Sequence, residues 1–158
     1  TILSFHFYEP GTYAVDGKGE YPSIISGQRF NRKALQGRLL ERLGHAQGRP
    51  VLVGEFGAMT RAGDHLTYDQ DLLELFEENG LHWIYWHHRN IKGKTDTQAI
   101  YYASTDNKFV KLVARMRQGE SFSSFTETEK REALEALRLS DFAVKQDLRA
   151  LLIRYLDA

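Results

Sequence analysis

The chain contains no cysteine. That excludes a disulfide framework, a thiolate nucleophile and any zinc or iron–sulfur site built on cysteine ligands. Neither sign of charge is in excess, since 21 Lys plus Arg balance 21 Asp plus Glu. No net field therefore draws the chain to nucleic acid or to an anionic membrane surface, and neither is expected as a partner, whereas a neutral ligand such as a sugar is left open. No run of about 18 apolar residues is present that would suggest a membrane span. The opening Thr1-Ile2-Leu3-Ser4-Phe5 reads as a strand, without the charged start and apolar core of a signal peptide. Internal repeats and low-complexity segments are also lacking. What remains is a chain of 158 residues, 42% hydrophobic and 27% charged, with the composition of a globular domain able to bury a core.

The order of elements suggests an α/β fold. Thr1 to Tyr8 is short, apolar and aromatic, and Glu9-Pro10-Gly11 ends it with turn chemistry, so a strand is expected there. Residues 9–30 hold four glycines, two prolines and three aromatics (Tyr13, Tyr21, Phe30), and read as a long loop that is either functional or a surface excursion. From Asn31 to Leu43, Leu35, Leu39, Leu40 and Leu43 recur at helical spacing before Gly44. Val51-Leu52-Val53-Gly54-Glu55-Phe56-Gly57 is continuous enough to be a parallel strand covered on both faces. Thr67 and Gln70 suggest a capping box ahead of a helix carrying Leu72, Leu73, Leu75 and Phe76, ended by Gly80. Leu81 to Trp86 makes a third strand, and Asn107 to Gln118 a third helix with Phe109, Val110, Val113 and Met116 inward. Strands alternating with helices imply right-handed parallel crossovers, in a doubly wound sheet or a barrel. Beyond residue 118, Thr126 and Glu129 form a second capping box before Ala133, Leu134 and Leu137. A further helix is expected to carry Phe142, Val144, Leu148, Leu151, Leu152 and Tyr155, giving a helical hairpin that caps, packs or assembles.

Catalytic groups of parallel α/β folds gather at the C-terminal ends of strands, where the loops converge. Those ends carry His6 and Tyr8, Glu55, and Trp86. Glu55 is the sharpest candidate, because an acid closing an apolar strand is costly to bury unless bonded or needed. Gly54 and Gly57 beside it permit close backbone approach. Taken singly, Glu55 is equally a salt-bridged strand cap, His6 a satisfied core histidine, Tyr8 loop packing and Trp86 a buried apolar residue. Together, a carboxylate, an imidazole, a phenol and an indole describe a sugar subsite, with the aromatic face stacking on the pyranose and the polar groups fixing its hydroxyls.

Three segments carry a resemblance. Ser4-Phe5-His6-Phe7-Tyr8-Glu9-Pro10, Val51-Leu52-Val53-Gly54-Glu55-Phe56-Gly57-Ala58 and Trp83-Ile84-Tyr85-Trp86 resemble, in order and spacing, the last three strand motifs of family 5 glycoside hydrolases, which include endoglucanases and mannanases. The resemblance covers residues 1–118 and implies a partial (β/α)8 TIM barrel of the last three strand–helix units, followed by the hairpin at 119–158. It implies that Glu55 is the nucleophile of a glycosyl-enzyme intermediate, that His6 and Tyr8 are active-site polar residues with Tyr8 holding Glu55 ionised, and that Trp86 stacks beneath the sugar at the cleaved bond. His87, with His88 and Arg89, has no firm family counterpart and is expected to line the cleft. No cofactor is implied, and no HExxH or other metal-ligand spacing occurs. The implied partner is a β-linked polysaccharide or oligosaccharide, and secretion follows from the resemblance alone.

A retaining glycosidase needs two carboxyl groups about 5–5.5 Å apart, one attacking and one donating a proton. In the family the acid/base follows an asparagine at the end of the fourth strand, and Asn-Glu occurs nowhere in this chain. Glu9 and Asp64 lie on loops, but nothing favours either as the substitute. About 250 residues make the eight strand–helix units of a barrel, and only three units are visible. The first five strands are thus expected outside this chain, and the unpaired edges of three strands are expected to associate with a second copy or with a separate N-terminal half. The expected function is the nucleophile half of a retaining endo-β-1,4-glucanase. The alternatives are a catalytically inactive carbohydrate-binding or assembly module, and a different α/β domain in which Glu55 is structural.

Overall fold

The computed structural model describes residues 1–25, 27–94 and 96–156. They form two compact units, one of residues 1–86, 96–98 and 150–156, the other of residues 87–94 and 99–149. The expected limits of 1–118 and 119–158 do not coincide with these units.

The first unit runs β1 (Leu3–Phe7), α1 (Gly11–Ala14), β2 (Ser23–Ile25), β3 (Gln28–Phe30), α2 (Arg32–Gly44), β4 (Val51–Phe56), α3 (His65–Glu78) and β5 (His82–Tyr85). Strands β1, β4 and β5 are parallel neighbours in that order, which is the winding of a barrel wall. Among the described residues the sheet does not close. Consequently β4 is not covered on both faces as its apolar run suggests. Val53 and Phe56 are fully buried, while Val51, Leu52, Gly54 and Glu55 keep partial access to solvent.

Aromatic rings hold the covered face. The Phe76 ring of α3 meets Phe7 of β1 at 6.2 Å and Phe56 of β4 at 5.0 Å, both edge-on, and Phe56 also meets Trp83 and Tyr85 of β5 at 5.7 and 5.2 Å. Such edge-to-face pairs add to the burial of large apolar area. The stretch 9–30 is not an open loop. Its aromatics Tyr13, Tyr21 and Phe30 are buried together with Tyr68 of α3, at centroid separations of 5.0 to 6.1 Å, and β2 and β3 form a hairpin beside them.

Helix α2 is capped as its sequence suggests, with the Asn31 side chain accepting from the Ala34 N–H at 3.2 Å. The capping box of Thr67 and Gln70 does not form. Asp64 takes a left-handed conformation (φ 56°) and starts α3 at His65, so Thr67 is already helical and Gln70 donates to Glu74 at 2.9 Å. That earlier start carries Tyr68 into the aromatic cluster, where its hydroxyl donates to the Glu9 carbonyl at 3.0 Å.

One acidic side chain sits inside this core. Asp69 of α3 is fully buried and accepts from the Tyr85 hydroxyl through Oδ2 at 3.3 Å, while Oδ1 has no well-formed hydrogen bond and the Ala58 backbone engages the carboxyl only weakly. Burial holds this carboxyl well above the ordinary carboxylate range, only partly offset by those hydrogen bonds.

The second unit contains β6 (Arg89–Asn90), β7 (Tyr101–Tyr102), α4 (Lys108–Arg117), α5 (Glu127–Glu135), β8 (Ala143–Val144) and the start of α6 (Gln146–Arg154). β7 pairs parallel with β6 and antiparallel with β8. The capping box of Thr126 and Glu129 forms with both of its hydrogen bonds. Leu112, Phe125 and Ala133 make the buried cluster, with Phe109 packed against it. Met116, expected inward, is 40% exposed because it lies in the last turn of α4, past that cluster. The expected helical hairpin is interrupted. Between α5 and α6 the chain forms a 3-10 turn at Leu139–Asp141 and then β8, because Phe142 and Val144 belong to an extended segment that completes the small sheet. Arg89 lies over the Phe142 ring at 5.2 Å. Among the described residues no helix is long and apolar enough to cross a membrane.

Two stability predictions follow from the first unit. Phe76→Ala removes the ring shared by β1 and β4 and is expected to cost about 3–5 kcal/mol in urea unfolding. Asp69 has a raised folded pKa, so its contribution is complete at acid pH and is lost as pH rises above the unfolded value of 3.8 toward the folded one. Asp69→Asn, which cannot ionise, is therefore expected to gain urea resistance over the parent at about pH 7 and to lose that advantage at about pH 3.

Candidate active site

The site is built on an irregularity in β4. Its register with β1 pairs Leu3 with Val51, Ser4 with Leu52 and Phe5 with Val53, and then skips Gly54 so that His6 faces Glu55 and Phe7 faces Phe56. The pairing with β5 shifts over the same residues, between Val53 and Phe56. An extra residue in one strand reverses the alternation of faces. Val53 and Phe56, three apart, thus both enter the core, and Glu55 turns to the open face.

Gly54 suits this bulge because a Cβ there would stand 2.7 Å from Ser4 Oγ and 3.5 Å from His6 Cδ2. Gly57 is constrained more severely. Its φ is +135°, and a Cβ would lie 3.0 Å from the Trp86 carbonyl oxygen and 3.0 Å from the Tyr85 ring. The two glycines of the Gly-Glu-Phe-Gly motif are therefore required by close approach on one side of Glu55 and by backbone conformation on the other.

Three of the expected residues converge on the open face. The Tyr8 hydroxyl donates to Glu55 Oε2 at 3.0 Å, and His6 Nδ1 lies 3.3 Å from the same oxygen. The His6 and Tyr8 rings are edge-on at 6.5 Å. Burial first, and then the hydrogen bond and charge of Glu55, push the Tyr8 phenol well above its ordinary pKa, so it stays a neutral donor. Both contacts fall on Oε2, which orients the carboxylate and leaves Oε1 outside them. The Glu55 side chain is 27% exposed, accessible but not fully solvated.

Trp86 follows β5 directly. Its N–H donates to the Phe56 carbonyl at 2.9 Å, and the residue is 45% exposed. It is not the large buried side chain that its size suggests. His87 lies in the second unit, where its carbonyl accepts from the Ile100 N–H at 3.1 Å. Burial, followed by the charges of Lys145, Lys92 and His88, lowers its pKa against the opposing effect of the Arg89 backbone.

Glu9 is drawn away from any proton-donor role. Arg42 and Arg38 of α2 bind its two carboxylate oxygens at 3.0 and 3.2 Å, so it is committed to the helix side. Asp64 is the residue preceding α3. A concavity of about 640 Å³ lies along α2 and the β2–β3 hairpin, lined among others by Ile25, Arg29, Phe30 and Arg38. Glu55 is not among its lining residues. Among the described residues, no three His, Asp or Glu side chains are grouped to hold a metal ion.

Two supporting residues are absent from the sequence reading. Asp69 had a signal, since it occupies the same helical stripe as Leu72, Leu73 and Phe76. Gln98, whose buried amide reaches the Gly57 carbonyl at 2.9 Å, had none.

Gly57→Ala must place a Cβ in the left-handed half of conformational space against a backbone oxygen, and is expected to cost roughly 1–3 kcal/mol. Gly54→Ala meets a hydroxyl able to rotate away and is expected to cost less. Urea titration of the two variants checks the order.

A family model described as Cellulase (glycosyl hydrolase family 5) matches residues 1–91. No match is found among curated proteins. Among solved structures, endoglucanase Cel5A from the hyperthermophilic Thermotoga maritima aligns with a TM-score of 0.46 and 18% identity over 87% of this chain and 39% of that one. A broad-specificity GH5-4 endoglucanase from Ruminococcus champanellensis, with bound cellotriose, aligns with a TM-score of 0.49 and 19% identity over 86% of this chain and 34% of that one. The chain thus spans between a third and two-fifths of the length of these structures. The family model takes in 91 of 158 residues, including all of β1, β4 and β5 with Glu55, Tyr8 and His6, and the chain belongs to glycosyl hydrolase family 5.

Proposed function

We propose that this chain carries the nucleophile side of a retaining β-glycosidase acting on β-1,4-linked glucan or a related β-linked polysaccharide. The observation that carries the reading is the convergence of Tyr8 and His6 on one oxygen of Glu55, on the open face of a family 5 strand. In this mechanism Glu55 Oε1 attacks the anomeric carbon, the glycosidic C–O bond breaks, and a glycosyl ester forms on Glu55. Water then cleaves the ester and releases the sugar with retained configuration. Tyr8 and His6 hold the carboxylate in line for attack, and Trp86 offers its indole as a stacking surface for the ring at the cleaved bond. His87 is a further candidate for sugar binding.

The proton for the leaving group comes from a second carboxyl outside this chain, on the portion of the barrel that completes the sheet. The outer edges of β1 and β5, with Ile84 of β5 53% exposed, favour association with that portion or with a second copy. Secretion goes with the family and with a polymeric substrate.

A substrate whose leaving group departs as a stable anion makes the proton donor unnecessary. Incubation with a 2-fluoro-β-cellobioside bearing dinitrophenolate is expected to add one fluorocellobiosyl group to Glu55, read by intact mass and peptide mapping. Glu55→Gln should abolish the adduct, and Trp86→Ala should weaken reagent binding roughly tenfold, or ~1.4 kcal/mol. Cello-oligosaccharide binding without any adduct would assign the chain instead as a carbohydrate-binding module. Absence of both would remove the glycosidase reading.

A further inference from the structure

Residues 96–98 belong to the first unit although the stretches on either side, 87–94 and 99–149, belong to the second. Gln98 is the inner end of this short return, buried at 7% exposure. Its Nε2 donates to the Ala14 carbonyl at 3.0 Å and to the Gly57 carbonyl at 2.9 Å. Two backbone acceptors at these distances fix the orientation of the amide, because the alternative rotamer would set its oxygen against both. Asp96, at the other end, accepts from Arg61, which also donates to the Asp16 carbonyl at 2.9 and 3.2 Å.

The two carbonyls held by Gln98 are not arbitrary. Ala14 ends α1, the element after β1 and its neighbour Tyr8, and its oxygen also accepts from the Met59 N–H at 3.0 Å. Gly57 closes β4, two residues after Glu55, and has the +135° φ already described. The residue after the carboxylate's strand and the helix after the phenol's strand are thus tied by the two hydrogens of one buried amide. An apolar side chain would fill the same space without fixing either peptide. Losing both donors would leave the Gly57 carbonyl without this partner and the Ala14 carbonyl with the Met59 N–H alone, a cost that falls on these two segments rather than on the sheet.

We propose that Gln98 is a positioning residue, whose amide sets the Tyr8–Glu55 hydrogen bond by fixing the loops that follow β1 and β4. The catalytic consequence rests on the reading of Glu55 as nucleophile, whereas the local geometry does not.

The test uses the full chain with Gln98→Leu and the isosteric Gln98→Glu, each read in two ways. By NMR hydrogen exchange, the Trp86 and Met59 amides, which bond to Phe56 and Ala14, are expected to exchange roughly tenfold faster while Val53 in mid-strand is unchanged. With the 2-fluoro-β-cellobioside reagent, the labelling rate at saturation is expected to fall roughly tenfold or more, with the half-saturating concentration moving less than about threefold. Uniform loss of protection across Trp86, Met59 and Val53, or unchanged labelling by a folded variant, would overturn the proposal. If Gln98→Leu does not fold, Gln98→Glu decides by the same criteria, since it keeps the volume and replaces two N–H donors by a carboxyl that can hold at most one of the two carbonyls. If the parent chain itself is not labelled, the glycosidase reading fails while the exchange pattern still decides whether Gln98 fixes these loops.

Discussion

The extra residue in β4 is the constraint on which the rest of the site depends. Strand alternation would send Val53 and Glu55 to the same face, burying the carboxylate and turning the Phe56 ring out to solvent, at a cost far above what a hydrogen bond returns. The skip at Gly54 allows Val53 and Phe56 both to enter the core and frees Glu55 to meet Tyr8 and His6. Core packing and site geometry are thus one choice. The ring of Phe56, pressed between Phe76, Trp83 and Tyr85, holds the bulge in place from behind.

The support around the bulge has two chemical characters. Behind β4 and β5 it is mostly aromatic rings, with Asp69 a buried acid whose carboxyl burial holds well above the ordinary range and which accepts from Tyr85. Beyond the strand ends it is polar, with the Gln98 amide and the Arg61–Asp96 pair reaching the backbone of the loops. The aromatic cluster of Tyr13, Tyr21, Phe30 and Tyr68 does for the first loop what regular structure does elsewhere, since it buries rings and leaves the backbone little freedom to move.

A parallel wall of three strands carries Glu55 with Tyr8 and His6 on its open face, and Trp86 follows the third strand half exposed. The family model takes in the whole of this wall, from β1 through β5. The second unit has its own small sheet and its own cluster around Leu112, Phe125 and Ala133, and His87 is part of that separate fold.

The strand–helix order, the helix starts at Asn31 and Thr126, and the candidates His6, Tyr8, Glu55 and Trp86 were legible in the sequence, because each depends on periodicity, capping chemistry or a contiguous motif. Only the tertiary structure decided the rest. Which face Glu55 takes depends on a register with two other strands, not on its own neighbours. The binding of Glu9 by Arg38 and Arg42 depends on how a helix lies beside a turn. The strand at Ala143–Val144 forms within a helical-looking pattern because Tyr101 and Tyr102 offer an open sheet edge there. Gln98 reaches Gly57 across 41 residues of intervening chain, and no local signal encodes such a contact, since its hydrogen bonds exist only once both loops are folded.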